Sequence, residues 1–151
     1  MERNISALNR KTQFVSKYDY GRDIVDLGEM VISYATSCNL GCEYCYLSFV
    51  KTPLEPVLYK NKELLFNELE EFILKESKNS FYFNCGETTD SLLTEEHIKL
   101  TNDIVDFLSI LAMKYNKNFI IELRTKTNNI KKINDVRDKK LKIVYATSLM
   151  P

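Results

Sequence analysis

An α/β fold on a parallel sheet, with about three βα units followed by a fourth parallel strand, is what this sequence predicts. Short β-branched and aromatic runs at 29–36, 80–85, 118–125 and 141–149 alternate with segments of helical period. The stretches between them are long enough for crossovers, which favours parallel pairing with right-handed connections. The unusual residues stand just after those runs, and parallel α/β sheets collect function on the loops at the carboxyl ends of their strands.

Residues 1–28 are mixed and polar without a sustained period, and read as an irregular or short β lead-in. The run 29–36 (Glu-Met-Val-Ile-Ser-Tyr-Ala-Thr) suits a strand buried on both faces. Pro53 and Pro56 exclude a regular helix across 48–60 and mark a connecting loop. A helix is expected from Asn61, with Asn61 as cap, Glu63 in the first turn and Leu65, Leu69, Phe72 and Ile73 on one face; it ends near 77–79. The aromatic run 80–85 is the second strand. Thr94 then caps a long helix with Glu95 and Glu96 in its first turn and Ile98, Val105, Leu108 and Ala112 inward. Residues 118–125 form the third strand, Asn128 to about Val136 a short helix with Ile130 and Ile133 inward, and 141–149 the fourth strand.

Bulk properties narrow the class. With 151 residues the chain can bury one real core, and 44% apolar with 28% charged residues is ordinary for a globular domain. Charges balance at 21 against 21, so no global field announces nucleic acid or an anionic membrane. The start lacks a signal-peptide pattern, and no apolar run approaches the roughly 20 residues that span a bilayer. Four cysteines without secretory features point to a reducing compartment, with thiols serving metal or chemistry; a cytoplasmic location without membrane partners is expected.

Three of those cysteines, Cys38, Cys42 and Cys45, fall in the Cys-x3-Cys-x2-Cys loop Ser37-Cys38-Asn39-Leu40-Gly41-Cys42-Glu43-Tyr44-Cys45-Tyr46-Leu47. Thiolates are soft ligands, and three in one short loop can converge on an iron–sulfur cluster and leave one iron open to a small molecule. Gly41 lets the backbone turn between the first two ligands. A zinc knuckle or three neighbouring buried thiols are the alternatives. Zinc wants a fourth ligand at ordinary spacing, and none follows Cys45 until Cys85.

At these residues the chain resembles the radical SAM enzymes, whose signature loop carries an aromatic before the last cysteine, here Tyr44. The string Glu43-Tyr44-Cys45-Tyr46-Leu47 is similar to the spore photoproduct lyase branch. The resemblance implies a partial (βα) barrel and a 4Fe-4S cluster whose open iron chelates S-adenosylmethionine. It also implies reductive cleavage of that cofactor to a 5′-deoxyadenosyl radical, an electron donor such as flavodoxin or ferredoxin, and a thymine-dimer lesion in DNA as substrate. Gly86-Glu87 resembles the family's Gly-Glu element, in which glycine permits close approach and the acid accepts from the cofactor's amino group. Family members often carry a further glycine where this chain has Cys85. Thr89-Asp90 is similar to a hydroxyl–Asp pair that touches the cofactor. Lys126, in Arg124-Thr125-Lys126, resembles the lysine that pairs with the cofactor carboxylate.

Cys85 matches the position of a hydrogen-atom donor, with Tyr44 and Tyr46 implicated in returning the radical; a small core thiol is the alternative. Ser148, in Thr147-Ser148-Leu149-Met150-Pro151, falls in a stretch similar to the family's Ser-Leu-Asn-Pro and is placed with the cofactor-binding residues. His97 reads as structural or solvent-exposed. Eight Lys/Arg against two Asp/Glu from Arg124 to Lys142 could track a phosphate backbone or be a solvated face. The resemblance covers about residue 18 onward and places 29–151 as the N-terminal part of the core domain, truncated before the rest of the barrel. Another radical SAM substrate, or a non-catalytic metal-binding remnant, are the rival functions.

Overall fold

The computed structural model describes residues 6–8, 10, 13–17, 29–32, 35–36, 57–85, 90–136 and 140–147. Their element order is β1 (Ser6–Leu8), β2 (Val15–Lys17), β3 (Glu29–Ile32), β4 (Ala35–Thr36), β5 (Val57–Tyr59), α1 (Glu63–Lys75), β6 (Ser80–Cys85), α2 (Glu95–Tyr115), β7 (Asn118–Thr125) and β8 (Leu141–Thr147). A five-stranded sheet runs β2-β3-β6-β7-β8, and a small one runs β1-β5-β4. Strands β3, β6, β7 and β8 are mutually parallel, and β2 closes one edge antiparallel to β3. The predicted α/β class with its parallel sheet is what is observed.

Alternation along the strands decides where the core lies. Phe81, Phe83 and Cys85 of β6 and Phe119, Ile121 and Leu123 of β7 are buried. The register pairs Phe81 with Phe119, Phe83 with Ile121 and Cys85 with Leu123, so all six share one face. Leu65, Leu69 and Ile73 of α1, spaced by four, and Ile104, Val105, Leu108 and Ala112 of α2 complete the same cluster. Phe81, Phe83 and Phe119 form its aromatic centre, with centroids 5.6–6.1 Å apart.

The intervening positions on β6 and β7 carry mostly polar side chains, Ile120 being the exception. Tyr82 Oη donates to Glu122 Oε1 at 2.8 Å, Arg124 Nε donates to Glu122 Oε2 at 2.7 Å, and Arg124 Nη2 reaches Asn84 Oδ1 at 3.4 Å. Helices therefore line one face of these strands, and a polar network occupies the other.

Helix α2 has the start and end its sequence asks for. Thr94 Oγ1 accepts from the backbone N–H of His97, and Asn116 takes the left-handed conformation (φ 52°) while donating its N–H to Ala112 O. Helix α1 departs from expectation, because Asn61 does not cap it. The Asn61 side chain instead brackets Arg10, accepting from its N–H at 2.8 Å and donating to its carbonyl at 2.9 Å. Arg10 also lies over the rings of Phe14 and Tyr59, which ties the lead-in to the start of α1.

Three further differences have local causes. The run 29–36 is two strands: β3 pairs with β6, whereas β4 pairs antiparallel with β5 in the small sheet. The tail of the expected 48–60 loop forms β5, because Val57-Leu58-Tyr59 can take two partners at once. The expected helix over 128–136 is a single 3-10 turn, Asn129–Lys132, without a side-chain cap. Of residues 128–136 only Ile133 is buried, with Ile130 and Val136 half-buried.

Candidate functional site

The carboxyl ends of the parallel strands define the candidate site. Ile32, Cys85, Leu123 and Tyr145 form one cross-sheet row, and Thr125 pairs with Thr147 two positions further on. Segments leaving β3, β6, β7 and β8 therefore depart from a common edge. Sequence places the cysteine loop after β3 and β4, Gly86-Glu87 after β6, Lys126 after β7 and Ser148 after β8.

Of the predicted residues, Cys85 and Lys126 are described. Cys38, Cys42, Cys45, Tyr44, Tyr46, Gly86, Glu87, Thr89 and Ser148 lie outside the described residues. Among the described residues, no three His, Cys, Asp or Glu side chains gather as a metal site. Again among the described residues, no helix is long and apolar enough to cross a membrane.

Cys85 ends β6 on the helix-covered face and belongs to the core cluster, with no exposed surface. Burial pushes its thiol well above the ordinary range, and the nearby Glu122 carboxylate pushes the same way. It is therefore a neutral S–H at any physiological pH. Such a group suits hydrogen donation better than metal ligation, but a donor must also meet its radical. This packing gives Cys85 the surroundings of a core thiol. In the native chain Cys85 should resist a thiolate-specific alkylating reagent at mildly alkaline pH and react once denaturant is added, as peptide mapping by mass spectrometry would show. Native-state labelling as fast as that of an exposed thiol would contradict this placement.

The residue that organises this edge is Asp90, which is buried. Its Oδ1 accepts from the Leu92 backbone N–H at 2.9 Å and from Thr125 Oγ1 at 2.7 Å. Its Oδ2 accepts from the Lys126 backbone N–H at 2.7 Å. Ser91 N–H donates to the Arg124 carbonyl at 3.1 Å, so the segment after β6 is stitched to the end of β7. The sequence singled out Asp90 only by resemblance, as a group touching cofactor. Its three donors make it a link between two loops. The available signal was local: an Asp whose side chain takes the N–H two residues ahead makes an Asx turn.

His97 is fully buried in the first turn of α2. Its Nδ1 lies 2.8 Å from Thr94 Oγ1, and Nε2 has no hydrogen-bond partner among the described residues. Removal from water lowers its pKa to about 4, partly opposed by the Asp90 and Glu96 carboxylates. The histidine is thus buried and neutral, and the solvent-exposed alternative does not hold.

Below pH 6.5 the unfolded chain takes up a proton that the folded chain refuses, so stability falls as pH drops towards 4. The loss attributable to this group is on the order of 3 kcal/mol at most. Urea unfolding at several pH values should show that slope in the wild type. In His97→Asn the part of the slope between pH 6.5 and 4.5 should flatten, and an unchanged slope would assign the acid sensitivity elsewhere.

Three cations of the basic run from Arg124 to Lys142 have partners among the described residues. Arg124 pairs with Glu122, Lys132 pairs with Glu95 at 2.5 Å, and Lys140 contacts Asn116. A groove of about 650 Å³ runs between the 3-10 turn and β8, lined in part by Ile130, Ile133, Leu141, Ile143 and Tyr145. Neither Cys85 nor Lys126, the described site residues, lines it.

Comparison with known proteins finds no matching family, no matching curated protein and no matching solved structure.

Proposed function

We propose that this chain is the cofactor-binding part of a radical SAM enzyme, with a partial (βα) barrel and chemistry of the spore photoproduct lyase kind. The observation that carries the reading is the Cys38, Cys42 and Cys45 spacing, in a segment that follows β3 of the parallel sheet by way of β4 of the small sheet. The three cysteines would hold a 4Fe-4S cluster, and the donor set suits it: three thiolates, with no fourth ligand at zinc spacing. S-adenosylmethionine bound there, with an electron from a flavodoxin- or ferredoxin-like donor, supplies a 5′-deoxyadenosyl radical.

The remaining assignments concern this chain's own side chains. Glu87 would accept from the cofactor's amino group and Lys126 would neutralise its carboxylate, with Gly86, Thr89 and Ser148 around them. Tyr44 and Tyr46 would serve radical return from within the cysteine loop. Hydrogen donation by Cys85 is the role that its core packing supports least.

A thymine-dimer lesion in DNA is the substrate that the lyase resemblance favours. One observation favours a second reading, in which the same chemistry serves another substrate. Arg124 and Lys132 face the Glu122 and Glu95 carboxylates, which offset part of the positive charge of the basic run.

The experiment is anaerobic reconstitution of the chain with iron and sulfide, then reduction in the presence of S-adenosylmethionine. Release of 5′-deoxyadenosine and methionine in equal amounts supports the class. A lesion-containing dinucleotide then decides the substrate, by consumption or by indifference. A cluster-loaded protein that leaves the cofactor intact would overturn the reading.

A further inference from the structure

We infer that Asp90 is a positioning residue that fixes the direction in which Lys126 leaves the sheet, an inference that rests on the cofactor role proposed for Lys126. Lys126 is the first residue beyond β7. Its own N–H and the hydroxyl of the preceding Thr125 both end on the Asp90 carboxylate, at 2.7 Å each. One rigid planar group thus restrains two consecutive residues.

The residue on the other side is restrained as well. Thr127 N–H donates to Thr125 Oγ1 at 3.1 Å, and Thr127 Oγ1 reaches the Leu92 carbonyl at 3.4 Å. Asn129 Nδ2 donates to that same carbonyl at 2.9 Å. Lys126 is therefore flanked on both sides by residues tied to 90–92, while its own side chain stays exposed. The backbone under a long, flexible cation is held still, and such pre-organisation lowers the entropy lost when the cation meets an anion.

Asp90→Asn tests this selectively. The amide oxygen will settle where two donors need it, at the Leu92 and Thr125 side. The amide nitrogen then faces the Lys126 N–H, donor against donor. Hydrogen exchange should accelerate about tenfold or more at the Lys126 amide while the Leu92 amide keeps its protection.

In the cluster-loaded chain, the dissociation constant for S-adenosylmethionine should rise about tenfold. Lys126→Met should also weaken binding, and the double variant should be little worse than Lys126→Met alone, because Asp90 acts through Lys126. Unchanged exchange at Lys126, or losses that simply multiply, would overturn the inference. A wild-type chain that holds its cluster yet binds no S-adenosylmethionine defeats the proposed function and the cofactor half of this inference together. The exchange measurement still reports on Asp90 alone. If Asp90→Asn does not fold, Thr125→Val, which removes one of the two Asp90 anchors, should still raise the dissociation constant for S-adenosylmethionine, and Thr125→Ser, which keeps the hydroxyl, should restore it; an unchanged constant in Thr125→Val would overturn the inference.

Discussion

Replacing any one of Cys38, Cys42 or Cys45 with alanine should strip the reconstituted chain of its iron and acid-labile sulfide. Two thiolates cannot hold a cubane cluster against exchange with free thiol, so each single variant should match the triple variant. The loss should exceed the roughly 10- to 100-fold that changes in outer-shell partners cause in metal affinity. Cys85→Ala is the internal control. Cys85 sits in the hydrophobic core as a neutral thiol, so its removal should leave the iron content unchanged. Iron and sulfide assays on the five variants and the wild type check both statements. Iron lost in Cys85→Ala and retained in Cys42→Ala would invert the assignment.

The second large effect is on stability. Phe83→Ala should cost about 3–5 kcal/mol, a large share of the roughly 5–15 kcal/mol that a domain of this size possesses. Phe83 has no exposed surface, stacks beside Phe81 at 6.1 Å and meets Phe119 at 5.8 Å. Neighbours so tightly held cannot collapse into the space it leaves. Leu74 on α1 is more than half exposed, and Leu74→Ala should stay within about 0.5 kcal/mol. Urea midpoints of the two variants against the wild type measure the contrast. Equal small shifts would mean that the aromatic cluster is not the centre of the core.

Most of this fold was legible because local and tertiary preferences agree. β6 and β7 occupy the predicted limits 80–85 and 118–125, since an apolar face and a strong β propensity point the same way. Thr94 caps α2 as expected because, among the described residues, no distant group competes for its hydroxyl.

Where a distant partner intervenes, sequence reading fails. Asn61 had the composition of a cap, but Arg10, remote in sequence, claims both ends of its amide. The break within 29–36 was invisible because its two halves serve different sheets, and nothing local announces a change of partner.

The site divides in the same way. Thiolate spacing is written along the chain, so the cysteine trio could be read from one dimension. The three donors to Asp90 come from two loops separated by the whole of α2, and only folding brings them together. Cys85 could be read either as a donor or as core, and its register beside Leu123 on the helix-covered face is what places it in the core.

The most direct test of the central claim is electron paramagnetic resonance of the anaerobically reconstituted and reduced chain, recorded with and without S-adenosylmethionine. The expected result is a cubane iron–sulfur signal that depends on Cys38, Cys42 and Cys45 and that shifts when the sulfonium compound is added. A chain that takes up zinc alone, or a cluster whose signal is indifferent to the addition, would contradict it.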